Sequence, residues 1–202
     1  MGFYSSRFYY QLIQFCDYIF LSILWGICLL PIITIVPATI SLFTVIRVWR
    51  KGTSQGLLVL FFGEFKQHFL QKSLLSLFLV SFIFVLYQNI QLITPIENPA
   101  NFILFLLLGL SFLLLMSFSV HFFNIYVRSE EKKIRLIFKN TIILTISCFH
   151  WTILGLGIVF LDILFVLFLP FMIFLVASFT GYLLVRISDK AVKSIKVEQL
   201  VI

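Results

Sequence analysis

The sequence predicts an all-α membrane protein, a polytopic bundle of about five transmembrane helices. Of the 202 residues, 61% are hydrophobic and only 11% are charged, whereas a soluble chain is about half apolar and about a quarter charged. The apolar residues form long runs rather than the alternating pattern of β-barrel strands, so helical spans are expected. The length fits a single membrane domain over residues 1–202.

The first apolar run covers residues 18–48 and contains two prolines. It exceeds the roughly 20 residues of a simple span, and Pro31 and Pro37 predict a break or kink because proline removes a backbone donor and clashes with the preceding turn. Pro37 suits the start of a new helix, with Thr34 as its N-cap. The simpler arrangement is one kinked span; the alternative is a re-entrant hairpin with its tip at residues 31–37. Residues 1–17 are expected to lie at the membrane interface.

Four further spans are predicted downstream. They cover residues 73–93, 102–125, 136–157 and 162–187, and a tail of residues 188–202 follows. The last two spans come from one almost continuous apolar run. The break between them is predicted near Gly155, Gly157 and Asp162, the main flexible or charged positions in that run.

The charges give this bundle an orientation. Fourteen of the fifteen basic residues lie in three segments, residues 47–72, 128–139 and 186–196. The positive-inside rule places these segments, and with them the C-terminus, on the cytoplasmic side of the membrane. Five spans then put the N-terminus outside, whereas a re-entrant hairpin returns it to the cytoplasm. The net charge of +7 is explained in this way without nucleic acid as a partner.

The segment between the first two predicted spans is rich in phenylalanine. Phe61, Phe65 and their neighbours Phe62 and Phe69 fall on one helical face, beside Lys66. The pattern predicts an amphipathic helix at the interface. Two roles stay open for it: a docking surface for a cytoplasmic partner, or a helix that simply lies among the lipid headgroups.

Polar residues inside the predicted spans are the default candidates for function. His121 and Asn124 share a face near the cytoplasmic end of the third span, and His150 lies within the fourth, next to Trp151. His150 is a candidate proton carrier or substrate ligand, but a lone histidine also serves as a hydrogen bond between helices. A proton relay requires two or more titratable groups within reach, and the sequence suggests no such chain.

No catalytic, cofactor-binding or metal-binding motif is evident, so we expect no enzymatic activity, no cofactor and no metal site. Walker A, HExxH and GxSxG motifs are absent, and the three cysteines lack CxxC spacing. Glu130, Glu131 and Arg135 fit the EExxxR pattern of intramembrane proteases. They lie in a charged loop, however, and the downstream histidines that such enzymes need are missing, since His150 lacks a preceding phenylalanine at the required spacing and no histidine follows it.

The first span carries a recognisable motif. It reads Leu24-Trp25, then Leu30-Pro31, Thr34 and Ala38-Thr39, and the similarity continues at Phe61-Phe62, Phe65-Lys66, Lys139-Asn140 and Leu169-Pro170. In these positions the chain resembles the YesL-type proteins, bacterial membrane proteins of unknown function. It departs at Val36, where the family usually has glycine, which implies a less flexible break.

The resemblance implies a polytopic protein of the cytoplasmic membrane, with no catalytic residues to transfer. Members are often encoded beside carbohydrate ABC importers, which suggests an accessory role by analogy. The leading hypothesis is therefore a non-enzymatic accessory or assembly partner of ABC transporter permease subunits within the lipid bilayer. The alternative is a small carrier or channel lined by the broken first span and His150, and an intramembrane enzyme is a more remote third.

Overall fold

A computed structural model describes residues 7–52, 56–92, 99–130 and 132–194. The described residues are helical apart from short connections. The helices are α1 (Arg7–Leu29), α2 (Ile35–Arg50), α3 (Leu57–Lys66), α4 (Phe69–Leu92), α5 (Pro99–Arg128), α6 (Ile134–Ser147), α7 (Phe149–Phe168) and α8 (Ile173–Ser194), with 3-10 turns at Ile32–Thr34 and Pro170–Met172.

Five segments of the described chain are long and apolar enough to cross a membrane, which confirms the helical membrane class. They are Leu12–Leu29, Ile32–Arg50, Phe69–Gln91, Asn101–Arg128 and Phe149–Phe168. The number agrees with the prediction, but the membership differs. Two of the five segments, Leu12–Leu29 and Ile32–Arg50, come from the region predicted as the first span. Helix α8, which overlaps the predicted span 162–187, is not among the five segments. Towards its C-terminal end α8 carries four charged residues, Arg186, Asp189, Lys190 and Lys193.

Helices α1 and α2 form an antiparallel hairpin. The rings of Tyr18 and Trp49 meet edge to face with centroids 5.4 Å apart, and Trp25 Nε1 donates a hydrogen bond to Thr39 Oγ1 at 3.3 Å. Early residues of α1 therefore lie beside late residues of α2. The break near Pro31 is where the sequence places it, but the prediction of one kinked span is wrong, because after the break the chain doubles back.

Two hydroxyl groups hold the hairpin turn, one as a hydrogen-bond donor and the other as an acceptor. Thr34 occupies the N-cap position of α2, yet its Oγ1 turns back to the carbonyl oxygens of Cys28 at 2.6 Å and Pro31 at 2.5 Å. The N-terminus of α2 is capped instead from α4, since the Val36 N–H donates to Ser76 Oγ at 2.9 Å. Pro37 lies in the first turn of α2, where its missing N–H leaves no bond unmade. The turn thus packs against α4 only seven residues after that helix begins.

Replacing Ser76 with alanine is expected to lower the free energy of unfolding by about 1–2 kcal/mol, because it leaves a buried backbone N–H without an acceptor. Denaturation of the purified protein in mixed detergent micelles measures this loss. Ser117→Ala is the matched control, since the exposed Ser117 hydroxyl bonds only the Leu113 carbonyl of its own helix. Equal stability of the two variants would contradict the capping role.

The predicted break near Gly155, Gly157 and Asp162 is also wrong. Helix α7 runs through all three positions, and the chain reverses at the Pro170–Met172 turn. Gly155 marks a close helix contact instead: a Cβ on it would lie 2.5 Å from Val120 Cγ1 of α5. Small residues in membrane helices permit such approaches, whereas proline stops a helix. A second bend separates α6 from α7 at Cys148.

The core of the bundle surrounds α2. This helix packs against α1, α3, α4, α5 and α8, and 56% of its span is buried, compared with at most 22% for the other four. Gly181 lets α8 approach α2 closely, near Leu42 and Ile46. The C-terminal ends of α2, α5 and α8 meet at one end of the bundle, where the basic residues collect.

Candidate functional site: the polar clusters and an apolar cavity

The ends of α2, α5 and α8 meet around one carboxylate. Arg50 Nη1 lies 2.7 Å from Asp189 Oδ2, and Arg47 and Arg128 lie 3.6 and 4.0 Å from Asp189 Oδ1. Arg47 also donates a 2.8 Å hydrogen bond to Asn124 Oδ1. Because each helix ends in basic residues, three guanidinium groups share one acid, and the cluster keeps an excess of positive charge. The sequence predicted Asn124 as a candidate, and here it positions an arginine.

A second ion pair is more deeply buried. Lys72 has no exposed surface, and its Nζ donates to the Glu64 backbone oxygen at 2.6 Å and to Glu64 Oε1 at 2.7 Å. His68 adopts a φ of 50° in the connection between α3 and α4. This left-handed conformation is uncommon for a residue other than glycine, and it lets the chain turn so that Glu64 meets Lys72.

Tyr126 of α5 lies between two ammonium groups. Lys72 Nζ is 5.6 Å and Lys132 Nζ is 5.0 Å from the centre of its ring, within the range of cation–π attraction. Lys132 also donates to the Tyr126 carbonyl oxygen at 2.8 Å. Burial lowers the pKa of Lys132, and the nearby Glu64 carboxylate partly offsets this shift. The Tyr126 hydroxyl is buried and has no hydrogen-bond partner among the described residues.

His121 joins three helices. It is fully buried; its Nδ1 lies 3.3 Å from Ser188 Oγ of α8, and its Nε2 lies 3.1 Å from Thr152 Oγ1 of α7. Thr152 in turn donates to the Cys148 carbonyl oxygen at 3.2 Å. Both ring nitrogens have hydroxyl partners, so the arrangement serves as a hydrogen-bonded contact between α5, α7 and α8.

His150 lies on the outside of the bundle. Its side chain is exposed, and its ring contacts Trp151 at a centroid distance of 5.1 Å. It is absent from the wall of the cavity described below. The hypothesis of a transport path lined by His150 therefore finds no supporting geometry in the described chain.

The phenylalanine face of α3 points partly inward. Phe61 is fully buried and stacks on the half-buried Phe65, with ring centroids 6.2 Å apart. A docking surface that includes Phe61, as the sequence suggested, is therefore excluded, because this face packs on α2. Phe62 of the predicted face is exposed, and together with Leu58 and Val59 it makes the exposed apolar surface of α3. Lys66 of the same helix is exposed as well.

An apolar cavity of about 450 Å³ lies between α1, α2, α5, α7 and α8. Its few polar groups are Asp162 and Thr180, which hydrogen-bond to each other, together with Trp25, Thr39 and Ser119. Sequence reasoning treated Asp162 as a marker of a turn and missed the cavity, because its wall is assembled from five helices that are distant in sequence. An acid in the middle of an apolar run was the one available signal.

The described residues contain no group of three or more His, Cys, Asp or Glu side chains that could hold a metal ion. Cys16, Cys28 and Cys148 are all free. Each buried polar cluster described above is used in contacts between helices.

Comparisons with known proteins find relatives of unknown function. Residues 18–90 match the family described as "Protein of unknown function, DUF624". The chain is 25% identical to the uncharacterized protein YesL of Bacillus subtilis (strain 168), over 92% of this chain and 91% of that protein. It is 27% identical to the uncharacterized protein YteU of the same organism, over 94% and 87% of the two chains. These matches support a YesL-type family of unknown function.

The predicted resemblance to YesL-type proteins is thus confirmed. The DUF624 match begins at Tyr18 and spans the α1–α2 hairpin, α3 and most of α4, which is the part of the chain that carries the break and the buried Lys72 pair. No solved structure matches the chain.

Proposed function

We propose that this protein is a non-enzymatic accessory or assembly partner of an ABC transporter, of the carbohydrate-importing type suggested by the resemblance. The observation that carries the proposal is the surface of α3. Leu58, Val59 and Phe62 are exposed there, and Lys66 is exposed at the C-terminal end of the same helix. An apolar patch with a basic border suits a permease surface with apolar and acidic side chains.

The basic end is placed on the cytoplasmic side of the cell membrane by the positive-inside rule. The first half of α1 then lies on the same side as the C-terminal half of α8, because Tyr18 of α1 contacts Trp49 of α2 and Tyr182 of α8. This replaces the earlier expectation of an external N-terminus, which rested on a single first span.

A non-enzymatic role is supported by the use of the buried polar groups. His121, Asn124 and Lys72 are each engaged by partners on neighbouring helices or connections. Catalysis requires a nucleophile, acid or base facing a site that a substrate can enter. These three clusters instead join neighbouring helices. Asp162 does face the cavity, but it is the sole titratable side chain among the described residues of its wall.

The test is co-purification in mild detergent of the tagged full chain with the permease subunits of an ABC importer, identified by mass spectrometry. Val59→Ala/Phe62→Ala is expected to reduce the recovered permease severalfold, because it truncates the exposed patch. Val85→Ala/Phe84→Ala on α4 is the matched control, since it removes the same two side chains from another exposed surface. Equal recovery with both double variants, or no permease with the parent chain, would contradict the proposal.

The cavity favours a carrier as the second candidate function. Its wall is almost entirely apolar, so a lipid-soluble compound suits it better than a sugar. Purified protein that accelerates the transfer of a lipid-soluble compound between liposomes, without any permease, would favour the carrier over the accessory role.

A further inference from the structure

The cavity has the dimensions and composition of a small-molecule site. Its volume of about 450 Å³ falls within the roughly 300–1,000 Å³ of ligand pockets, which are mostly apolar with a few placed polar groups. Bundles of helices commonly hold such sites between their helices. Phe43 of α2, Val120 of α5 and Leu184 of α8 form part of its wall.

The polar groups of the wall differ in what they can still bind. Thr39 donates to the Ile35 carbonyl oxygen and accepts from Trp25, and Ser119 donates to the Leu115 carbonyl oxygen. The hydroxyl hydrogens of Thr39 and Ser119 are therefore already used in hydrogen bonds within the protein. Asp162 accepts one hydrogen bond from Thr180 at Oδ2, whereas a carboxylate has about four acceptor positions. The cavity wall thus has free hydrogen-bond acceptor positions on Asp162, and a ligand that uses them must carry a hydrogen-bond donor.

The cavity reaches the lipid-facing surface of α7. Ile163 and Leu167 belong to its wall and are also 48% and 72% exposed. In a membrane these surfaces face hydrocarbon rather than water. A ligand that enters along them must be soluble in the bilayer, and a charged or strongly polar molecule is excluded from that route unless its polar group is carried by an apolar body.

We propose that the cavity binds a lipid-soluble molecule with an alkyl or isoprenoid body and a hydroxyl or ammonium group, and that this group donates a hydrogen bond to Asp162. The apolar body fills the space between α2, α5 and α8. This site is independent of the α3 surface and of the accessory role, because it lies among other residues and opens towards lipid.

The test uses Trp25 as the reporter, since it lies on the cavity wall. The chain has three tryptophans, so Trp49→Phe/Trp151→Phe leaves Trp25 as the single emitter in the full chain, reconstituted in phosphatidylcholine nanodiscs. The probes are an ω-bromoalkyl alcohol, an ω-bromoalkyl amine and a bromoalkane of the same chain length, whose bromine quenches the fluorescence of a nearby tryptophan. The alcohol or the amine is expected to reach half-maximal quenching at a concentration about tenfold or more below that of the bromoalkane.

Substitutions then locate the site. Asp162→Leu is expected to remove the preference for the donor-bearing probe. Asp162→Asn keeps an acceptor for Thr180, and it is expected to weaken binding of the amine probe more than binding of the alcohol probe. Asp17→Leu is the matched control, because it deletes an exposed carboxylate elsewhere on the chain, and it should change nothing. Ala177→Phe fills the cavity and should weaken all three probes.

Circular dichroism and elution volume verify that each variant keeps its fold, and Asp162→Asn supplies the decisive reading if Asp162→Leu does not fold. Equal half-quenching by all three probes in the parent chain would overturn the proposal. So would an unchanged preference in Asp162→Leu, or unchanged quenching in Ala177→Phe.

Discussion

Replacement of Glu64 by alanine is expected to lower the free energy of unfolding by about 3–5 kcal/mol, the usual cost of removing one partner of a buried ion pair. The physical reason is the complete burial of Lys72. Without the carboxylate its ammonium group keeps only the Glu64 backbone oxygen as a close acceptor. The measurement is denaturation of the purified protein in mixed detergent micelles.

A control variant and a rescue variant distinguish the loss of this ion pair from the loss of any carboxylate. Glu130→Ala removes an exposed carboxylate and should change stability by less than about 0.5 kcal/mol. The double variant Glu64→Ala/Lys72→Met replaces the buried ammonium with an apolar side chain of similar length, and should recover most of the lost stability. A double variant no more stable than Glu64→Ala alone would show that the pair does not determine the effect.

The class of this fold was predictable because membrane insertion depends on composition and on run length, which are local properties. The two prolines also marked a real break, since proline acts on its own helix. The sequence left the direction of the chain after the break open between a kinked span and a hairpin. That direction depends on Ser76, forty residues away, which caps α2 through the Val36 N–H, and on the ring contact between Tyr18 and Trp49.

Glycine in the second half of the chain misled the sequence reasoning for a similar reason. Gly155 was treated as a break because glycine weakens an isolated helix. In a packed bundle, Val120 of α5 occupies the space that a side chain at this position would take. The same glycine therefore stabilises the helix contact. The true turn at Leu169–Pro170 carried a proline signal, and that signal was read only as part of the family motif.

The candidate sites were predictable in part. His121 and Asn124 were chosen because polar groups are rare in membrane helices, and both prove to be buried and bonded. His150 satisfied the same criterion but faces outward, since the choice between the two faces of a helix is made by tertiary packing. Lys72 was counted only as a loop charge, because nothing local shows that its ammonium group meets Glu64 and becomes buried.

Gly181 lies where α8 crosses α2, and substitution there is expected to destabilise the bundle by about 1–3 kcal/mol. A Cβ at this position would lie 2.6 Å from Leu42 Cδ2 and 2.7 Å from Ile46 Cδ1, below any normal contact distance. Gly181→Ala forces these two side chains to move, and Gly181→Val, with two further carbon atoms, should cost more. Denaturation in mixed micelles gives the order of stabilities.

Two controls decide whether this cost comes from the crossing. Gly157→Ala and Gly109→Ala place a methyl group where nothing lies within 4 Å, so they should be neutral or stabilising by up to about 1 kcal/mol, as alanine is the better helix former. Leu42→Ala combined with Gly181→Ala should be less destabilised than the sum of the single variants, because the smaller side chain makes room for the new methyl group. Strictly additive losses would mean that Gly181 and Leu42 do not share this contact, and that α8 is held against α2 by the Asp189 cluster instead.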